Sequence, residues 1–295
     1  MNSVAHKNKD LDEIVNIYTN NKEKIIVDTH YHANIFGLTP SERKKRKIDF
    51  IKWTNKNLVN IILSTEHTYK DPLNAYLHLA EWSCLTNAVI VPACEAISKE
   101  GVDIILVFRD EGCLTNAGAV LDPFGWSVVD LPYIKREVNC LIIIPHPYTL
   151  GTTGAGRILK PSVYKQLMEI ADYIEIENGS YFAAFNLAMM ATSESWVENN
   201  LCWLMKAYRI PQRDFLPGLG YAVGSDAHFP AHQYKVGMIN GSLEKAFADV
   251  FEFLAKKHYF QGVICSERSI INMLSSIPKS LLCSLTEKLI KRKYY

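Results

Sequence analysis

Asp28, His30 and His32 stand at alternate positions directly after the apolar run Ile25–Val27, in the stretch IIVDTHYHAN. Side chains alternate across a strand, so this spacing predicts all three on one side of it. Neutral imidazole is the commonest protein ligand for transition metals, and carboxylate suits the harder divalent ions. Two imidazoles and a carboxylate ending a buried strand therefore read as part of a metal centre. The competing reading is a pair of satisfied core histidines. What separates the two is whether other strands bring partners to the same place.

The rest of the chain supplies them. Leu58–Ser64 leads into Glu66 and His67, Ala88–Ala93 into Glu95, Cys140–Tyr148 contains His146 near its end, and Gly220–Pro230 carries Asp226 and His228. Val102–Phe108 has Asp103 near its start, and Tyr173–Asn178 closes on Asn178. Helical patterns fill the intervals. Thr39, Pro40 and Glu42 form a capping box with proline at the first helical position. Asp71-Pro72 opens a second helix, Ser162–Ile170 a third, and a long helical region reaches about Ile210 with a break near Thr192–Ser195. Helices are also expected at Leu11–Tyr18, at Leu243–His258 and as a proline-interrupted pair at the C-terminus. Strands alternating with helices predict parallel β/α units, whose C-terminal strand edge is where barrel enzymes build active sites.

Composition narrows the classes. The 295 residues carry a formal net charge of +1, so no global field draws the chain to nucleic acid or membrane. No apolar run approaches the ~20 residues of a membrane span. The polar N-terminus lacks a signal-peptide pattern, and seven cysteines without a C-x-x-C pair suit a reduced, cytoplasmic protein. The basic run Arg43–Lys47 reads as a solvated helix face, with a phosphate-attracting rim as the alternative.

The motifs DTHYH (28–32), TEH (65–67), CEAIS (94–98), PHP (145–147), IEIEN (174–178) and GSDAH (224–228) occur in one order over about residues 25–240. In that order the sequence resembles the PHP (polymerase and histidinol phosphatase) metal-dependent phosphoesterases. The resemblance implies an α/β fold, a distorted (β/α)7 TIM-like barrel over 25–240, preceded by a lead-in at 1–24 and followed by a C-terminal helical extension at 241–295. It also implies two to three divalent ions, of Mn, Zn or Fe, with Mg a further choice. His30, His32, Glu95 and Asp226 would hold the first, Glu95 would bridge to a second with His146, and His67 and His228 would hold a third. His67, His228 and Asp226 are the expected catalytic groups. Asp28 and Glu66 are expected to support the ligands from behind.

Three positions depart from the family pattern. The loop after His32 has Phe36 near the place of a further family ligand, leaving Asn34 as a weak substitute. Glu66 stands for an aspartate. Asp103 takes the place of a histidine on the strand after the glutamate motif, which would favour Mn, Mg or Fe over Zn. Arg157 and Lys235 are candidates to hold a substrate phosphate, and Asn178 a third substrate contact. The expected function is hydrolysis of a phosphate monoester, or of a nucleotide or short-oligonucleotide phosphodiester, by a metal-activated water. The alternative is a degenerate barrel kept as a binding or regulatory scaffold. An amidohydrolase-type reaction fits less well, because no lysine stands where a bridging carboxylated lysine is needed.

Overall fold

Apolar residues on the strands fall into two interleaved sets. Ile61 and Leu63 of β2 (Ile61–Ser64) join one buried cluster and Ile62 another. Ile105 and Val107 of β4 (Asp103–Val107) separate in the same way from Ile104 and Leu106. Both faces of these strands are covered, which is why they read as continuous apolar runs rather than as alternating ones. The inner set fills a barrel; the outer sets lie beneath the surrounding helices. The computed structural model describes residues 24–149, 153–211, 215–228 and 233–265. The helix expected at Leu11–Tyr18 and the C-terminal helical pair lie outside the described residues.

The other strands are β1 (Lys24–Tyr31), β3 (Val89–Ile97), β5 (Leu141–Ile144), β6 (Tyr173–Asn178), β7 (Gly220–Gly224), β8 (Lys235–Asn240) and β9 (Gln261–Ile264). They form one mixed nine-stranded sheet in the order β7-β6-β5-β4-β3-β2-β1-β8-β9. The sheet nearly closes on itself. At the site end, the Asp226 amide donates to the His30 carbonyl at 2.7 Å, joining the end of β7 to that of β1. At the opposite end, Tyr221 exchanges backbone hydrogen bonds with His258 and Phe260. The result is a distorted TIM-like barrel with additional helices, as the sequence predicts.

Helix starts follow the sequence signals. α1 (Pro40–Lys56) carries the capping box of Thr39 and Glu42, and Asp71 caps α2 (Pro72–Ser83) by accepting from the Asn74 amide at 3.1 Å. The smaller helices α3 (Glu111–Thr115), α4 (Leu131–Val138) and α5 (Ala155–Ile158) precede α6 (Pro161–Ile170). The long helical region divides into α7 (Gly179–Ala191), α8 (Glu194–Asn200) and α9 (Cys202–Tyr208).

Two expectations need correction. The units are not uniformly parallel: β4 runs antiparallel to both β3 and β5. Only residues 98–102 join β3 to β4, too few for a parallel crossover, and Gly101 supplies the left-handed turn at φ +80°. The helix expected over Leu243–His258 is two helices, α10 (Leu243–Ala248) and α11 (Val250–Ala255), because Asp249 turns extended and caps a fresh start through the Glu252 amide. β8 and β9, antiparallel additions beside β1, occupy stretches where the sequence signals no strand. Among the described residues no helix is long and apolar enough to cross a membrane.

Candidate metal centre

The strand ends bring the ligand-type side chains to one edge. β1 does so through an irregularity. Val27 belongs to the inner cluster and Thr29 lines an inner void, so Asp28 does not share that face. A register shift against β2 between Asp28 and Tyr31 then turns His30 and His32 inward and Tyr31 outward. Period two therefore fails across Asp28. Its carboxylate accepts from the backbone amides of His30 and Ser225 and from the Ser225 hydroxyl, pinning β1 to the end of β7. Among the described residues it makes no hydrogen bond or ion pair to an imidazole nitrogen, where an orienting role was expected of it.

Around the barrel mouth the donors converge. His30 Nε2 lies 3.1 Å from His32 Nε2 and 3.7 Å from both Glu95 Oε1 and Asp226 Oδ1. His32 Nε2 is 3.5 Å from Glu95 Oε2 and 3.4 Å from Asp226 Oδ1. Ligands around one divalent ion are spaced by about 2.9 Å in an octahedral shell to about 3.4 Å in a tetrahedral one. The observed spacings fall close to that range. The donor set therefore fits a divalent metal.

Glu95 is the hub. Its Oε1 is 2.9 Å from His146 Nε2 and its Oε2 is 2.8 Å from His67 Nδ1. Asp103 joins Glu95 and His146, the three ligand atoms lying within 4.8 Å of one another. It reaches this edge because β4 is reversed, so that its first residue, not its last, faces the site. His32, His67 and His228 form a further all-imidazole group within the same limit. Several clusters suited to divalent ions thus share residues. Two of the contributing residues carry left-handed backbone, His146 at φ +25° and Asp226 at φ +48°. For side chains other than glycine this costs roughly 1–2 kcal/mol each, strain of the kind that collects at functional sites.

A second layer holds these groups. Glu66 accepts from the Asn34 amide at 2.6 Å and places Oε1 3.5 Å from His32 Nδ1, so the longer arm still reaches the ring. Asn34 spends its side-chain amide on the His228 carbonyl, and Arg46 donates to that same carbonyl. The basic run is therefore not only a solvated face: Arg46 is buried, and Lys47 pairs with Glu81. Asn178 donates to Glu175 Oε2 at 3.0 Å and to Asp226 Oδ2 at 3.1 Å, and Ser180 donates to the same Asp226 oxygen at 2.7 Å. Asn178 thus holds the Glu175 and Asp226 carboxylates from behind, where a substrate contact was expected. The two cations expected to meet phosphate are also engaged elsewhere. Lys235 is buried against Glu177, the Tyr208 hydroxyl and the Phe182 ring. Arg157 donates to the Thr149 carbonyl of its own loop. Sequence reasoning did not single out Glu175, Arg46 or Ser180; only Glu175 carried a signal, inside the IEIEN motif.

Buried charge shapes the titration of these groups. Burial opposes charge on His30, but Asp226, Glu175 and Glu95 outweigh it and hold the imidazole well above its ordinary range. His146, likewise opposed by burial, is pushed up to about 9 by Glu95 and Asp226. Glu66 reaches about 2 despite burial, through His32, Lys70 and His67. Burial moves Asp28 the other way, up to about 7, although its donors from Ser225 and His30 resist.

No protein-family model and no curated protein sequence matches the chain. Solved structures resemble its fold. PsfC from Pseudomonas syringae PB-5123 shares 13% identity over 86% of this chain and 96% of its own, with a TM-score of 0.54. The lesion-specific endonuclease PfuEndoQ from Pyrococcus furiosus shares 12% identity over 73% of this chain, which spans 52% of that protein, at a TM-score of 0.43.

Proposed function

We propose that this chain is a metal-dependent phosphoesterase of the PHP type, acting on a phosphate monoester or on a nucleotide or short-oligonucleotide phosphodiester. The observation that carries the reading is Glu95, whose two oxygens address different donor sets: Oε1 meets His146 and His30, Oε2 meets His67 and His32. A carboxylate so placed suits neighbouring cations and offsets their mutual repulsion. His30, His32, Glu95 and Asp226 would hold one ion, Glu95, Asp103 and His146 a second, and His67 and His228 a third. Bound divalent ions would activate water at neutral pH and neutralise the charge that builds on a phosphoryl group.

The protein's own groups do the rest. Asn178 and Ser180 occupy Asp226 Oδ2 and leave Oδ1 toward the histidines. His228 has the most exposed imidazole of the set, 15% against 0–7% for the others, with Nδ1 3.3 Å from Asp226 Oδ1. When it does not hold the third ion, it is the best placed to pass a proton to a leaving oxygen, so ligand and proton donor are alternative roles for it. With Lys235 and Arg157 bonded elsewhere, substrate phosphate would be held chiefly by the ions.

Replacing His30 with Ala or Asp226 with Asn is expected to lower hydrolysis by about 100-fold or more and to reduce bound metal. The assay is a manganese-supplemented panel of phosphomonoesters, nucleotides and short oligonucleotides, alongside elemental analysis. Wild-type turnover in both variants would sink the metal mechanism. A scaffold without hydrolysis is the second reading, favoured by Asn34, whose side chain serves the His228 carbonyl where a further ligand is usual. Bound metal without turnover on any of these esters would select it.

A further inference from the structure

We infer that Glu175 positions His30, fixing which ring nitrogen is left to receive a cation; the inference rests on the metal-centre reading. Glu175 lies on β6 and is 2% exposed. Its Oε1 sits 3.3 Å from His30 Nδ1. Its Oε2 accepts from the His146 backbone amide at 2.7 Å and from Asn178 Nδ2 at 3.0 Å. Oε2 therefore carries two donors, and at Oε1 a carboxylate oxygen can only accept. His30 must meet it with an N–H on Nδ1. When the ring is neutral and ligating, its lone pair is then on Nε2, the atom that faces His32, Glu95 and Asp226. A carboxylate behind a ligating imidazole commonly acts in this way, raising its basicity and holding its plane.

The surroundings allow no other arrangement. Oε2 is fixed by two donors, the His146 amide beyond β5 and Asn178 Nδ2 on β6, so an amide nitrogen cannot stand there. In Glu175→Gln the side-chain oxygen has to keep those two donors, and the amide N–H turns toward His30 Nδ1. An N–H aimed at Nδ1 requires a lone pair on it, which moves the ring proton to Nε2 and directs it into the ligand cluster. Size and shape are preserved while the tautomer reverses. Displacement of the side chain is also restricted, since a Cβ on Gly224 would already lie 2.6 Å from Glu175 Oε1.

The test uses the full chain loaded with zinc, a diamagnetic ion, and long-range proton–nitrogen NMR of the histidine rings. In the wild type, His30 is expected to carry its proton on Nδ1, with Nε2 shifted by the metal. In Glu175→Gln the proton is expected on Nε2, zinc binding about 10–100-fold weaker, and thermal unfolding little changed. A wild-type His30 protonated on Nε2 overturns the inference, whether or not the variant folds. So does a folded variant with wild-type tautomer and affinity. Asp226→Asn runs beside them: if it too binds zinc as tightly as the wild type, the metal-centre reading itself fails, whereas loss in Asp226→Asn without loss in Glu175→Gln overturns only the role of Glu175.

Discussion

His30 and His146 face carboxylates strong enough to keep protons on buried rings, and that sets how a cation would enter. Burial alone would hold both rings neutral. Instead Asp226, Glu175 and Glu95 raise His30 well above its ordinary range, and Glu95 with Asp226 takes His146 to about 9. An imidazole ligates only when neutral, so an incoming ion must displace these protons. The protonated form dominates below the raised value, so metal affinity should fall as pH drops from about 9 toward 6.5. The expected slope is about tenfold per pH unit for each proton displaced, read by titration calorimetry in buffers of different ionisation heat. An affinity flat across that window would contradict it. Most of the ligand-type residues were legible at this scale because they follow apolar runs, whereas Asp103 opens one. Lys235 was misread because nothing near it in sequence announces Glu177 as its partner, and Arg46 was hidden in a run of like charges.

The seam between β1 and β7 is the element on which the site depends most. A Cβ added at Gly224 would stand 2.3 Å from His30 Cβ, 2.9 Å from the His30 amide nitrogen and 2.6 Å from Glu175 Oε1. The nearest of these, His30 Cβ, and the His30 backbone cannot swing aside as a side-chain end could, so the strands must part. Gly224→Ala is expected to cost about 1–3 kcal/mol, the usual range for overpacking, and to weaken metal binding beyond what that loss implies. Denaturant unfolding and metal titration check both halves; an unchanged midpoint would show that the seam is looser than its contacts suggest. Most strands and helix starts could be read from apolar runs and caps. β8 and β9 could not, since Gly237 and the half-exposed QGVI give neither alternation nor an apolar run. The bulge at Asp28 was invisible for a related reason: it is set by pairing with β2 and by Ser225, and neither is a neighbour in sequence.

Over the whole molecule, the barrel was legible from the recurrence of polar groups at strand ends, but its one reversed strand in that half of the sheet was not. That strand gives the site two different histories of assembly. Glu95 and Asp103 belong to a hairpin closed by residues 98–102, whereas the Ser225–Asp28 bonds that bring the ends of β7 and β1 together span 197 positions. Short loops close at low entropic cost and contacts distant along the chain form late. The oxygen-rich half of the site is therefore expected to take shape while the chain is still collapsing, and the imidazole-rich half only when the first and last barrel strands meet. Pulse-labelled amide exchange during refolding would show β3 and β4 protected ahead of the β1–β7 seam, and simultaneous protection would remove the distinction. In kinetic terms, the hairpin makes one half-site a product of local folding and leaves the other as a report that folding has finished.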